Sequence, residues 1–480
     1  FNEAGQPTWM ARYSLAVLLE RTFYSYYVGG AKYSETHTGF SGGNRTSVER
    51  NWHENGQLQR LQHTFNGLSN GLYQEFDAQG RPVSEFTYVM NSAHGPFRTW
   101  FPDTTQLRSE GAYLDDQLDG LHTEYHANGK VKSRITYAQG IEDGQATTYD
   151  EAGRLRSNRT YVDGKLRRNE DWWYDESGTL RSHNVRTRSN GDLGRGDVAE
   201  TELQEQWDAE GRLARYEESE FGRLHGETRE YQEGILLSRC QYANGLLDGR
   251  YEQFYWEDGS PFNGNPVSDR LFKEGKRDGL SLIYDHETGN LRERTHYRRD
   301  LRHGRSELFH ADGTPQSSGD YIDGKKNGLH SSWDGNGDPA RLATYVDDVL
   351  HGPWSDYYEG VLRETGEYAD GQKTGTWRFY NQLSELVSRE DYKAGFRDGH
   401  YETYFSDGNP ATTDLSTRGS YARGLQDGEW ETFAGQGSDH YRTSRSQWRL
   451  GVEIGPRRSY SSTTGPSTMR PLVTELVEGT

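Results

Sequence analysis

With 480 residues the chain has the length of three ordinary domains or of one repeat array. Only 31% of it is hydrophobic and its mean hydropathy is −1.05, too polar for a set of conventional globular cores. A formal net charge of −19 disfavours a nucleic-acid backbone or an anionic membrane surface as the main partner, while 13% aromatic content, with 32 Tyr, argues against disorder and for strands that use ring area in place of aliphatic packing.

In chain order, the densest apolar stretch comes first, PTWMARYSLAVLLERTFYSYYVGG (7–30). Its longest apolar run, LAVLL (15–19), is far short of the ~18 residues of a membrane span. The first residue is Phe1 rather than Met, which fits a processed, exported subunit. A degenerate segment, GFSGGNRTSVERNWHENG (39–56), follows, and from there to about residue 460 one phrase is rewritten. It reads YLDDQLDGLHTEYHANGKV at 113–131, YAQGIEDGQATTYDEAGRL at 137–155 and YIDGKKNGLHSSWDGNGDP at 321–339. The second glycine of the phrase falls at Gly71, Gly95, Gly120 and Gly144, is replaced by Arg168, and returns from Gly226 to Gly455, mostly in steps of 23 to 25 residues. The 58-residue gap between Arg168 and Gly226 holds one more unit, with a turn near Gly194 or Gly196 and a strand containing Trp207. About sixteen units result.

Asn, Asp or His precedes the second glycine almost throughout, as at Asn70, His94, Asp119, Asp143, His303 and Asp398. Asn and Asp tolerate positive φ and Gly adopts it freely, so a hairpin turn is expected at this dipeptide. A second turn follows some nine residues later, as in HANGKV, DEAGRL and DAEGRL. Short alternating stretches between the turns read as strands of about six residues. The expected fold is all-β: an up-and-down meander of β-hairpin units forming one long twisted antiparallel ribbon. Tyr113, Tyr125, Tyr137, Tyr149, Tyr161 and Tyr174 recur about every twelve residues, one per strand, and should stack as aromatic ladders. The array spans 39–460, with non-repeat caps at 1–38 and 461–480, the latter carrying the apolar tail MRPLVTELVEGT (469–480). Inserts at 259–272 and 408–421 follow the same turn of their units, which places them on equivalent edges.

The pattern Y-x-x-G-x-x-x-G-x(4)-Y-x-x-x-G, matched at 137–153 and 113–129 and with departures at 161–178, 242–259 and 297–313, resembles the MORN repeat, in particular its bacterial variant in antitoxin-like and immunity-like proteins. The resemblance covers roughly residues 50 to 460. It implies a hairpin-repeat fold and an interaction scaffold, with membrane-associated and toxin-neutralising roles in the family.

No active site assembles along the chain. Cys240 is the single cysteine, which leaves no disulfide and no Cys-based metal site. Four His-Gly pairs (His94, His225, His303, His351) are spaced one per unit and read as turn residues. GFSGG (39–43) matches the nucleophile elbow only formally, because it lies in a Gly- and Ser-rich turn without the strand and helix that motif needs. GDYIDGKK (319–326) has Lys326 where a phosphate loop needs Ser or Thr. The acidic turns YLDDQLDG and YVDDVLHG lack calcium-loop spacing, and the basic stretch RLRSNRTYVDGKLRRNE (154–170) reads as charged strand faces. Neither cofactor nor metal is expected, and the chain is read as no enzyme.

The leading functional reading is a scaffold that binds protein, either itself or a toxin-like partner, with no nucleic acid and no membrane span. Self-assembly would run head-to-tail through the apolar ends, with Trp9, Tyr13, Leu15, Val17, Leu19, Leu472, Val473 and Leu476 as contact residues, on the cell surface or outside it. A cytoplasmic antitoxin and a glycan-binding surface protein using Trp172, Trp173, Trp256, Trp354 and Trp430 are the alternatives.

Overall fold

The structure, a computed structural model, describes residues 1–480 except 190, 194–197, 258–259, 407–413, 436–439, 463–468 and 474–480; for 255–257, 260–265, 461–462 and 469–473 it describes the backbone. Every regular element among the described residues is a strand. The chain divides into two compact units, Phe1–Gly234 and Ile235–Thr480, and within each the strands pair antiparallel in chain order. The N-terminal segment adds to this meander. Trp9–Ser14, Val17–Tyr26 and Lys32–Ser41 pair in sequence, so residues 1–38 carry its first hairpins. Trp207 ends the strand Thr201–Trp207, as the gap in the repeat implied; the turn placed near Gly194 or Gly196 lies outside the described residues.

One expectation is corrected. In most units among the described residues the tight turn lies at the first-glycine position of the phrase, held by Asp at Asp116, Asp300 and Asp348, four residues before the expected place. At Asp163–Gly164 the pairs Tyr161↔Leu166 and Val162↔Lys165 leave two residues between the strands, with φ of 51° and 74°. Positive φ at both central positions makes a type I′ turn, whose twist matches the flanking strands. The second glycine sits inside the following strand. Ile135↔Ala146 and Tyr137↔Glu142 are paired, so Thr136 alone faces residues 143–145, and Gly144 takes φ +103° in this bulge. Glycine is required there for φ and for space: a Cβ on Gly399 would stand 2.9 Å from Asp391 Cβ. Where Arg168 replaces it, Thr160↔Arg168 stays paired and the irregularity moves beside Tyr161.

The residue before the bulge glycine has a different role from the expected one. Its side chain accepts a hydrogen bond from the first turn residue of the next unit. Gln139 N donates to Asp119 Oδ1 at 3.2 Å, Asp347 N to Asn327 Oδ1 at 3.3 Å, Arg423 N to Asp398 Oδ2 at 3.1 Å and Asp370 N to His351 Nδ1 at 3.4 Å. The second turn residue adds a backbone bond, as from Gly140 N to Leu118 O at 2.8 Å and Gly424 N to Arg397 O at 2.8 Å. Both N–H groups at a hairpin tip, which the hairpin itself cannot satisfy, are thus bound by the preceding unit. This is the nearest-neighbour contact of a repeat array.

The longer turns are closed by their own side chains. Asp77 Oδ1 accepts from Arg81 N at 2.8 Å while Arg81 Nε donates to Oδ2 at 2.6 Å, and Asp150–Arg154 and Asp208–Arg212 repeat this D-x-x-G-R arrangement. Burial raises the pKa of Asp77, Asp150 and Asp208, but the amide and guanidinium of the following Arg outweigh it and hold them below the usual range. Asp175 is held down at about 2, first by the Ser177 hydroxyl, then by Thr179 and Arg181. A depressed folded pKa gives stability above the unfolded value of about 3.9 that is lost as pH falls through the folded one. The melting temperature should therefore drop between about pH 4 and pH 2. Replacing all four Asp by Asn should flatten that drop, and an unchanged acid slope contradicts the assignment.

One row across the strands forms the core. In the second unit it runs Ala343↔Trp354↔Gly366, then Trp377↔Glu390↔Tyr401↔Gly419, then Trp430↔Ser446. Most of the bulky members stand two residues after a bulge glycine, and small residues largely alternate with them. The ring of Trp377 is fully buried over Gly366, where a Cβ would lie 2.3 Å from Trp377 Cδ2; Trp430 covers Gly419 in the same way. In the first unit Phe86 stacks on Phe97 at 5.7 Å, and Phe97 faces Gly111. The six regularly spaced Tyr fall into two rows. Tyr113 and Tyr137, entering the tight turns, contact Phe97 (4.7 Å) and His122 (6.2 Å) of the core row. Tyr125, Tyr149 and Tyr174 enter the longer turns at the opposite strand ends.

Candidate interaction surfaces

The N-terminal hairpin presents apolar side chains to solvent. Trp9, Tyr13, Leu15 and Val17 are exposed, Leu15 to 98% at the turn tip, together with Met10 and Phe23; Leu19 is half-buried. These side chains come from one hairpin because Leu15–Ala16 forms its type I′ turn. Among the described residues Trp9–Ser14 pairs only with Val17–Tyr26. A strand bonded on one side presents a row of free backbone groups. At the other end Leu472 and Val473 lie in Met469–Val473, whose backbone pairs with Arg458–Ser462, and Leu476 lies outside the described residues.

The Trp residues considered for glycan stacking do not form one platform. Trp354 and Trp430 are buried in the core row, Trp172 stacks on His183 at 4.7 Å, and Trp173 is exposed. The side chain of Trp256 lies outside those described. The aromatic row is thus closed where the rings are largest. Rings need area more than volume to be buried, and Gly366 and Gly419 let them lie flat on the sheet.

The remaining motifs are absorbed by the repeat. Gly42–Gly43 is the turn between Lys32–Ser41 and Asn44–Trp52, so GFSGG lies in a hairpin. GDYIDGKK runs around the hairpin of Pro315–Ile322 and Lys325–Trp333. The acidic turns are used internally: Asp116 Oδ1 accepts from Ala93 N at 2.6 Å and Asp348 Oδ1 from Lys326 N at 2.7 Å. No group of three or more His, Cys, Asp or Glu that could hold a metal occurs among the described residues. In the basic stretch, Arg154 and Arg156 both pair with Asp150, and Arg168 pairs with Glu170 at 2.5 Å. Cys240 is buried. The first insert lengthens a hairpin, Leu246–Glu257 with Ser260–Lys273, at the strand ends that carry the longer turns. Residues 408–413 of the second lie outside the described residues.

A row of cations in the second unit was not singled out by sequence. Arg277, Arg302, Lys326, Lys373 and Arg397 each stand two residues before a bulge glycine, and each lies over an aromatic ring: Tyr297 (4.0 Å), Tyr321 (5.3 Å), Tyr345 (5.0 Å), Trp377 (3.7 Å) and Tyr401 (5.4 Å). The corresponding positions of the first unit include Ser69, Ala93, Leu118 and Glu142. The signal was present in the sequence as the residue two before the second glycine.

Residues 118–139 match the MORN repeat variant family. The segment runs from the bulge at Gly120 through one strand pair to the next tight turn, one complete unit of the geometry above. No curated protein matches the chain. Among solved structures it is similar to a chain of the crystal structure of TcdB2-TccC3-Cdc42, at 10% identity, 96% of this chain and 28% of that one, with a TM-score of 0.15. It is also similar to the Photorhabdus luminescens Tc holotoxin pore, at 10% identity, 95% of this chain and 25% of that one, TM-score 0.16. A porin-like protein from Bacteroides uniformis aligns at 10% identity over 56% of this chain and 91% of that one, TM-score 0.13. The chain spans less than a third of the length of the first two of these chains, and TM-scores this low carry no argument.

Proposed function

We propose that this β-hairpin repeat protein is a scaffold for protein–protein contact rather than an enzyme, and that its N-terminal hairpin joins one copy to another head-to-tail. The observation behind this reading is the exposed apolar set Trp9, Tyr13, Leu15 and Val17 on the N-terminal hairpin, whose first strand, Trp9–Ser14, is paired on one side among the described residues. Such a strand adds to another sheet edge through main-chain hydrogen bonds, with its side chains giving specificity. Contact between two different surfaces of identical copies is heterologous and grows as an open chain unless it closes into a ring.

The test compares the full chain with a Trp9→Lys, Tyr13→Lys, Val17→Lys variant by light scattering and electron microscopy. The full chain should associate in a concentration-dependent way and the variant should not. A full chain that stays strictly monomeric at high concentration overturns head-to-tail assembly.

A further inference from the structure

The cation row is not uniform. Lys373 pairs with Glu364 at 3.2 Å, Arg397 with Glu390 at 2.7 Å and Arg277 with Asp300 at 3.5 Å. Arg302 and Lys326 have no carboxylate ion pair among the described residues. They flank a depression of about 220 Å³ whose walls hold Arg341, already paired with Asp356 at 2.8 Å, His330 and several Ser side chains and no Asp or Glu. The depression exists because the core row is small here: Ser306, two residues after Gly304, occupies the place that Trp354, Trp377, Tyr401 and Trp430 hold further along, and it faces Gly319. In a chain of net charge −19, a recess lined by cations and hydroxyls without a carboxylate is built for an anionic guest.

Spacing selects the form of that guest. Arg302 and Lys326 occupy equivalent places on Leu301–Phe309 and Lys325–Trp333, with the single strand Pro315–Ile322 between them. Two strand steps separate them by about 9.6 Å. A β-strand presents same-side residues every ~6.7 Å, or every ~13 Å at four residues, and matches neither. A polyproline II segment brings every third residue to the same side at about 9.3 Å, and aromatic-lined grooves favour this preformed conformation.

We infer that this face of the second unit binds an extended acidic peptide in the polyproline II conformation, with carboxylates at every third residue seated on Arg302 and Lys326. The inference names the chemistry of one protein partner and so rests on the scaffold reading, but it uses neither the N-terminal hairpin nor self-association.

The test titrates the full chain into a labelled Glu-Pro-Pro repeat peptide and follows fluorescence anisotropy at low and high salt. The peptide should bind and weaken with salt. Arg302→Gln with Lys326→Gln should cost roughly tenfold per cation, and Arg302→Lys with Lys326→Arg should keep the affinity. A Lys-Pro-Pro peptide should not bind, and a Glu-Pro peptide, with charge at every second residue, should bind more weakly. Absent binding, equal binding by the Gln variant, loss of binding in a folded Lys/Arg swap, or equal affinity for the two acidic peptides each overturns the proposal. So does a sulfated glycan that binds here while the peptide does not. The self-association experiment is unaffected by these outcomes, so failure of one claim is separable from failure of the other.

Discussion

Trp377→Ala is expected to lower the stability of the second unit by about 3–5 kcal/mol, near the top of the range for a single substitution. Trp377 is completely buried in a row only one sheet thick, so little else can collapse into the space it leaves. Its ring lies over Gly366, against Trp354 at 5.3 Å and edge-on to Tyr368 at 5.1 Å, and Lys373 Nζ sits 3.7 Å from its centroid. Its indole N–H donates to the carbonyls of Glu367 and Thr374 at 3.2 Å. The complementary substitution, Gly366→Val, drives a side chain into that ring and should cost about 1–3 kcal/mol or more. In the Trp377→Ala background the same Val fills part of the cavity, so the double variant should be more stable than the sum of the single changes by on the order of 1–3 kcal/mol. Urea denaturation of the four proteins measures this, and strict additivity contradicts the packing assigned to the pair.

Gly399→Ala is expected to destabilise by about 2–4 kcal/mol and Gly375→Ala by only about 1 kcal/mol, although both glycines hold the same place in neighbouring units. Gly399 has φ +119°, outside the left-handed well an alanine can reach at small cost, and its Cβ would meet Asp391 Cβ at 2.9 Å. Gly375 has φ +65° with nothing within 4 Å of a Cβ. Sequence makes the two indistinguishable, so the difference between their denaturation midpoints isolates the geometric term. Equal losses contradict the bulge geometry at Gly399.

These contrasts mark where sequence reading ends. The all-β fold, the two turns per unit and the strand ending at Trp207 were legible because period-two alternation and glycine punctuation are local properties. The place of the tight turn was not. Asn66–Gly67 and Asn70–Gly71 have the same preference for positive φ, and only the register Phe65↔Leu68 decides which is the turn. The inter-unit acceptor was missed for the same reason. Yet Asn, Asp and His share a short side chain with an acceptor more than they share ease of positive φ, and that was a readable clue. Core packing was the leading reading for Trp354 and Trp430 and glycan stacking the alternative; sequence leaves both open because the cover of these rings depends on Gly366 and Gly419 across the sheet. Arg302 and Lys326 were hidden by attention to net charge, since a stripe of cations on one face leaves an acidic total unchanged.

The central claim is that the phrase recurs because each hairpin tip is completed by the unit before it. Native-state hydrogen exchange at the turn amides of Gln139, Asp347 and Arg423 tests this directly. These amides sit at exposed tips, and the account predicts protection well above that of free turns, lost at Arg423 alone in an Asp398→Ala variant. Exchange of all three at the rate of an unstructured chain in the folded protein would contradict it.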